Sequence, residues 1–377
     1  MSVMTEAVTG PGHVPARSPA VEPTYEGDFV LDDHLSLESG RALACPTLHY
    51  AVYGKLSAAR DNAVLICHAL SGSARVGDWW PEVFAPGALL SLEHDFVICI
   101  NLLGSCYGST GPGSVDPATG LVYGPDFPLV SIRDNVRAQA KLLDSLGIRR
   151  LRLVLGGSIG GMQALEWAIH DPNRMERAAI VAAAPVSAMG LALNHLQRQA
   201  IQNDPDWDGG YYLPQRPPRQ GLSLARQIGM LSYKSAGLFE ERFSRNPNRN
   251  GENPWSLDGQ GGGLIGGRFD IAGYLDYQGE RFIERFDANS YLAITRTMDT
   301  WDPLNGHPSP SAAFSGIRAR LTFLGISSDW LFPAESVRHF AETVRAAGAQ
   351  AEYREMTSSH GHDAFLAEQA DLVRLLQ

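Results

Sequence analysis

The chain is 377 residues long, 44% hydrophobic and 19% charged, with a formal net charge of −10. That balance describes a globular protein with a large core, built as two domains or as one big sheet carrying an insertion. The negative field argues against nucleic acid or an anionic membrane as a partner, and an anionic substrate would need a local cationic pocket.

In chain order, residues 1–27 are rich in Pro, Gly and small polar types and are expected to form a flexible N-terminal segment. They carry no cationic start followed by an apolar stretch, so they do not read as a secretory signal. No apolar run approaches the roughly 18 residues that span a bilayer, and a cytoplasmic location is expected. Cys45, Cys67, Cys99 and Cys106 form no C-x-x-C pair, so free thiols are expected rather than a disulfide framework.

Alternating patterns over 29–37 and 43–53, separated by Ser39-Gly40, predict two antiparallel strands. Short continuous apolar runs then predict buried strands over 63–67, 96–100, 151–155 and 178–184. A helix is predicted over 131–146, with Ile132, Val136, Ala140 and Leu143 on one face. This alternation stops near Pro185. Helical segments follow to about Asp302, with a Gly/Asn/Pro-rich stretch over 246–267 that reads as an exposed loop. Strand and helix resume at 321–325, 334–347 and 351–356, with a last helix after His362. The expected fold class is α/β: a mostly parallel central sheet flanked by helices, with an inserted helical domain. The boundaries are 28–184 and 303–377 for the core and 185–302 for the insertion.

The chemistry concentrates at Gly156-Gly157-Ser158-Ile159-Gly160, after the predicted strand 151–155 and before a helical run from Met162. This is the G-x-S-x-G nucleophile elbow, in which a sharp turn projects the serine hydroxyl and glycines admit the close backbone. The partners occur in the order Ser, acid, His. Asp329 follows strand 321–325, and a histidine, His360 or His362, follows strand 351–356. An oxyanion hole would take one backbone N–H from Ile159 and one from the loop 67–73, where Leu70 is the candidate. Cys106 lacks a neighbouring His and reads as a packed thiol. His360-Gly361-His362 has no third ligand pattern beside it, so no metal is expected.

Several blocks together resemble the homoserine O-acetyltransferase family, whose members have the α/β-hydrolase fold. They are His68-Ala-Leu-Ser-Gly-Ser73 with Trp79-Trp80, and Asn101-Leu-Leu-Gly-Ser-Cys-Tyr-Gly-Ser-Thr-Gly-Pro112. Gly156 to Trp167, Arg285-Phe-Asp-Ala-Asn-Ser-Tyr291, Asp329-Trp-Leu-Phe-Pro333 and Gly361-His-Asp-Ala-Phe-Leu366 complete the set. The blocks cover the chain from about residue 30 onward. Ile159 departs from the pattern, where Met is the more usual residue, but only its N–H matters. The resemblance selects His362 over His360. It implies a ping-pong transfer from acetyl-CoA, a co-substrate and not a bound cofactor, through acyl-Ser158 to L-homoserine. It also implies Arg226 as the carboxylate-binding residue, Tyr233 and Asp363 as further substrate contacts, the insertion as a water-excluding lid, and a homodimer formed through that lid.

Alternatives within the fold are homoserine or serine O-succinyltransferase, a plain esterase, or an inactive binding scaffold. A succinyl donor would want a cation near the acyl pocket. In serine succinyltransferase-like sequences an arginine is expected where Tyr107 stands, which favours acetyl here, with Arg75 as the other candidate cation.

Overall fold

The computed structural model describes residues 19–255 and 267–377. Ten strands form: β1 Tyr25–Val30, β2 Leu35–Ser36, β3 Ala42–Leu43, β4 Thr47–Gly54, β5 Ala63–Cys67, β6 Phe96–Ile100, β7 Leu151–Gly157, β8 Arg177–Val181, β9 Arg320–Ile326 and β10 Ala351–Met356. Eight build one sheet in the order β1-β4-β6-β5-β7-β8-β9-β10, and β2 pairs with β3 apart from it. β4 runs antiparallel to both its neighbours, and every other pairing in the large sheet is parallel.

The continuous apolar runs are explained by burial on both faces. In β5, Ala63, Leu65 and Cys67 enter one core while Val64 and Ile66 enter the other. In β6, Phe96, Ile98 and Ile100 divide from Val97 and Cys99 in the same way. The first part of the chain supplies helices α1 Val76–Trp79, α2 Ile132–Ser145 and α3 Ile159–His170. Helix α2 starts where the sequence predicts, because Ser131 and Asp134 cap each other's backbone N–H groups at 3.0 Å.

Between β8 and β9 the chain makes α4 Ala188–Gln202, α5 Arg219–Tyr233, α6 Ala236–Phe243, α7 Asp270–Ile283, α8 Ala288–Asp299 and the short α9 Pro310–Phe314. Helices α10 Ala334–Ala346, α11 Ala364–Ala367 and α12 Gln369–Leu376 follow. Of the expected loop over 246–267, residues 256–266 lie outside the described residues. No helix among the described residues is long and apolar enough to cross a membrane.

Two expectations near the N-terminus change. Residues 1–18 lie outside the described part, but the remainder of the 1–27 segment is not loose: β1 begins at Tyr25. It is held because Arg75 pairs with Glu22 and Glu26 at 2.7 and 2.8 Å, and Val21 N–H donates to the Gly77 carbonyl at 3.1 Å. The single hairpin expected from 29–37 and 43–53 is instead two pairings. β1 pairs with β4, and β2 with β3 across the Ser39-Gly40 turn. The Asp32-Asp33-His34 segment and Cys45, whose φ is 43°, interrupt what the alternation alone made continuous.

The sheet's order reverses at β5, which lies between β6 and β7, and the loops beyond the carboxyl ends of these strands therefore diverge to leave a crevice. His68, fully buried just past β5, ties two of those loops: its Nδ1 donates to the Ala69 carbonyl at 2.8 Å, and its Nε2 accepts from Leu102 N–H at 3.1 Å. Burial pushes the imidazole down to about 4 from its ordinary 6.5. Between those values the unfolded chain binds a proton that the native protein refuses, so native stability falls as pH drops from 6.5 to about 4. The loss from this one group is about 3 kcal/mol. His68→Asn removes it: urea unfolding at pH 7 and at pH 4.5 is expected to show the wild type's advantage over the variant narrowing. A gap that stays constant would contradict the assignment.

Candidate active site

The strand β7 ends in Gly156-Gly157 and α3 begins at Ile159, with Ser158 between them at φ 59° and ψ −127°. That conformation is costly for a residue with a side chain. The neighbouring glycines permit it. A Cβ on Gly156 would sit 2.2 Å from the Gly160 carbonyl oxygen, one on Gly160 2.1 Å from the Cys67 oxygen, and one on Gly157 2.6 Å from the Phe365 ring. The sequence signal for the elbow is therefore a record of backbone contact, and the turn lifts Ser158 above the sheet edge at the amino end of α3.

Asp329 follows β9 and His362 follows β10, and the two loops are tied together. Gly361 N–H donates to Ser328 Oγ at 2.9 Å and Ser358 N–H to Ser327 Oγ at 3.1 Å. His362 Nδ1 bonds Asp329 Oδ2 at 2.6 Å, and Asp329 Oδ1 accepts the N–H groups of Leu331 and Phe332, each at 2.9 Å. Both side chains are buried. The rings of Phe332 and Phe365 lie 5.3 and 5.5 Å from the imidazole. Burial works against protonation of His362, but the charge and hydrogen bond of Asp329, with Asp363 beyond, hold it above its ordinary value.

The competing histidine is paired elsewhere: His360 Nδ1 meets Glu368 Oε1 at 2.7 Å. Cys106 is half-buried, and burial pushes its thiol up to about 11, which keeps it protonated.

Ser158 and His362 line a partly open cavity, together with Ala69, Leu70, Ser71 and the residues expected to hold an amino acid, Arg226, Tyr233 and Asp363. Asp329 stands behind His362 through its hydrogen bond. Leu70 belongs to a tight turn closed by Gly72 N–H on the Ala69 carbonyl at 2.9 Å. The first N–H groups of α3, Ile159 among them, lack intrahelical acceptors by geometry. Arg226 is packed over the rings of Tyr233 and Phe282 at 5.5 and 4.9 Å, and its buried Nε has no hydrogen-bond partner among the described residues. A guanidinium held in that way is available to a carboxylate. Asp363 is already paired: Lys234 Nζ lies 2.9 Å from its Oδ2. A substrate ammonium would have to share that carboxylate, and no sequence pattern signalled the Lys234 contact.

The cations sort differently from expectation. Arg75 is taken up by Glu22, Glu26 and Asp78. Arg285 donates to the Ser71 carbonyl at 3.0 Å and to the Tyr107 hydroxyl at 2.5 Å, and it is the cation adjoining the cavity wall that sequence reasoning missed. Only the folded connection between α7 and α8 brings it there.

A family model of the α/β hydrolase fold matches residues 62–369. The homoserine O-acetyltransferase of Symbiobacterium thermophilum is 48% identical over 349 residues, 89% of each chain. A protein named homoserine O-succinyltransferase, from Alkalilimnicola ehrlichii, is 41% identical over 370 residues, 94% of each chain. The crystal structure of homoserine O-acetyltransferase from Bacillus anthracis matches at TM-score 0.83 and 26% identity, covering 94% of this chain and 98% of that one. Elbow, sheet order and near full-length likeness agree: the chain belongs to the homoserine O-acetyltransferase family of α/β-hydrolase-fold enzymes.

Proposed function

We propose that the protein transfers an acetyl group from acetyl-CoA to the hydroxyl of L-homoserine through an acyl-Ser158 intermediate. The observation that carries this reading is the meeting, in one cavity, of Ser158, an Asp329-bonded His362 and Arg226, whose Nε has no hydrogen-bond partner among the described residues. His362 Nε2 takes the Ser158 proton as Oγ attacks the thioester carbonyl, and the N–H groups of Leu70 and Ile159 receive the oxyanion. Collapse expels the CoA thiolate, which takes the proton back from His362. Homoserine enters with its carboxylate on Arg226, its ammonium on Asp363 and Tyr233 alongside. Its hydroxyl gives a proton to His362 as its oxygen attacks the acyl carbon; collapse breaks the bond from that carbon to Ser158 Oγ, and His362 returns the proton to Oγ, restoring free Ser158. Asp329 holds the imidazole tautomer and stabilises its cation. Helices α4, α5, α7 and α8, of the 185–302 insertion, act as the lid whose exclusion of water separates transfer from hydrolysis.

The acetyl donor is favoured over succinyl because Arg75 has carboxylate partners and Arg285 is engaged by Tyr107 and the Ser71 carbonyl. A second copy of the chain is the proposed partner. Leu224 and Leu231 of α5 and Met189 and Leu196 of α4 stay exposed on the insertion, which suits a homodimer through the lid. A cytoplasmic location agrees with four free cysteines.

A matrix of acetyl-CoA and succinyl-CoA against homoserine and serine, with free thiol as the readout, is expected to favour the acetyl-CoA and homoserine pair. Comparable turnover of both donors would remove the donor assignment. Ser158→Ala is expected to abolish thiol release with an unchanged melting temperature, and residual transfer would sink the nucleophile.

The raised His362 value sets a pH dependence. The base must be neutral, so kcat/KM should climb with pH through a limb lying above the ordinary histidine value of 6.5. Asp329→Asn removes the groups' stabilising charge, leaves burial to dominate, and should move that limb downward while lowering kcat by about 10³–10⁴-fold. A limb that does not move would break the proposed pairing. Light scattering of the wild type and of Leu224→Glu with Leu231→Glu checks the dimer, the double variant being expected as a monomer.

A further inference from the structure

The N–H of Leu70 can serve an acyl oxygen only if its peptide is held with that N–H toward Ser158. No cis peptide occurs among the described residues, so the carbonyl of Ala69 and the N–H of Leu70 point opposite ways across their shared plane. Whatever grips the carbonyl therefore aims the N–H. Two donors grip it: Gly72 N–H at 2.9 Å and His68 Nδ1 at 2.8 Å.

The tautomer of His68 is forced by its two partners. A carbonyl only accepts, so Nδ1 carries the proton. Leu102 N–H donates to Nε2 at 3.1 Å, so Nε2 carries the lone pair. The ring is fully buried, and no bulk water competes for either nitrogen. The loop after β6 thus fixes the imidazole, and the imidazole fixes the peptide. Arg285 holds another carbonyl of the same turn, that of Ser71, and leaves the Ala69 carbonyl to Gly72 and His68. Ala69, Leu70 and Ser71 line the cavity with Ser158, whereas His68 lies behind them.

We propose that His68 is a positioning residue for acyl transfer, its Nδ1–H holding the Ala69–Leu70 peptide so that the Leu70 N–H faces the acyl oxygen on Ser158. This rests on the acyl-Ser158 reading above but not on the identity of the acceptor.

Two variants separate the donor from the tie. His68→Asn keeps an N–H near the position of Nδ1 and loses the acceptor for Leu102. His68→Gln keeps an acceptor near the position of Nε2 and loses the clamp on Ala69. The burst of p-nitrophenol from p-nitrophenyl acetate reads acylation of Ser158 whatever the acceptor. His68→Gln is expected to slow that burst by about 10²-fold, on the scale of losing one oxyanion donor. His68→Asn should stay within about fivefold of wild type, with KM for the ester little changed in both. An equal slowing in the two variants, or an effect confined to KM, would overturn the proposal.

Should His68→Gln fail to fold, ¹⁵N NMR of labelled histidines in the wild type reads the tautomer directly, the His68 signal being assigned by its loss in His68→Asn. A protonated Nδ1 with a bare Nε2 supports the clamp, and a protonated Nε2 overturns it. A wild type that gives the ester burst but no transfer to homoserine would remove the proposed acceptor and leave this inference standing.

Discussion

Where β7 turns into α3, backbone segments approach one another within the radius of a methyl group. A side chain on Gly160 would collide with the last carbonyl of β5, at 2.1 Å, and one on Gly156 with the first turn of α3, at 2.2 Å. A side chain on Gly161 would meet the Ala183 Cβ at 2.7 Å. Because these contacts are closed, Ser158 has to take its left-handed conformation, a strain of about 1–3 kcal/mol that persists only where the surroundings over-determine it. The same contacts bring the end of β5, and so the Leu70 turn, against the amino end of α3. Ser158 and the proposed oxyanion donors are thus set by one piece of packing.

The hydrogen-bonded pair of His362 and Asp329 depends on that packing less directly. His362 and Asp329 come from loops beyond two later strands, and aromatic rings close around the imidazole. In such surroundings an unpaired charge is expensive, and the outcome turns on whether partners outweigh desolvation. Asp329 answers with both oxygens, one on two backbone N–H groups and one on His362. The imidazole is therefore oriented before any substrate arrives, and its cation has a fixed counter-charge. His68 shows the opposite result from similar burial: with a backbone carbonyl and a backbone N–H as partners, it is held neutral.

A net charge of −10 makes each free cation near the cavity significant. Arg75 has carboxylate partners, and Lys234 is paired with Asp363. Arg226 keeps an Nε that is unsatisfied among the described residues, packed on aromatic rings whose stacking orients the guanidinium without neutralising it. Arg285 bridges the α7–α8 connection to the Ser71 carbonyl, so the insertion touches the turn that carries Leu70. One side chain in this way joins the insertion to the turn beside Ser158.

Much of the core was legible in the chain itself. Strands 63–67, 96–100 and 351–356 coincide with β5, β6 and β10, and the helix after Ser131 starts at its cap. Doubly buried parallel strands need unbroken apolar runs, and caps need particular side chains, so both leave local marks. The glycine-flanked Ser158 is local for the same reason: each glycine answers a contact that any Cβ would block. What lay beyond the sequence was decided by pairs far apart in the chain. Strand order alone left His360 and His362 open, the family resemblance chose His362, and the fold gives His360 to Glu368 and His362 to Asp329. The order around Tyr25 came from Arg75, and the engagement of Tyr107 from Arg285. Residue type sets which chemistry a side chain can perform. Which partner satisfies it depends on distances that only the closed sheet and its insertion fix.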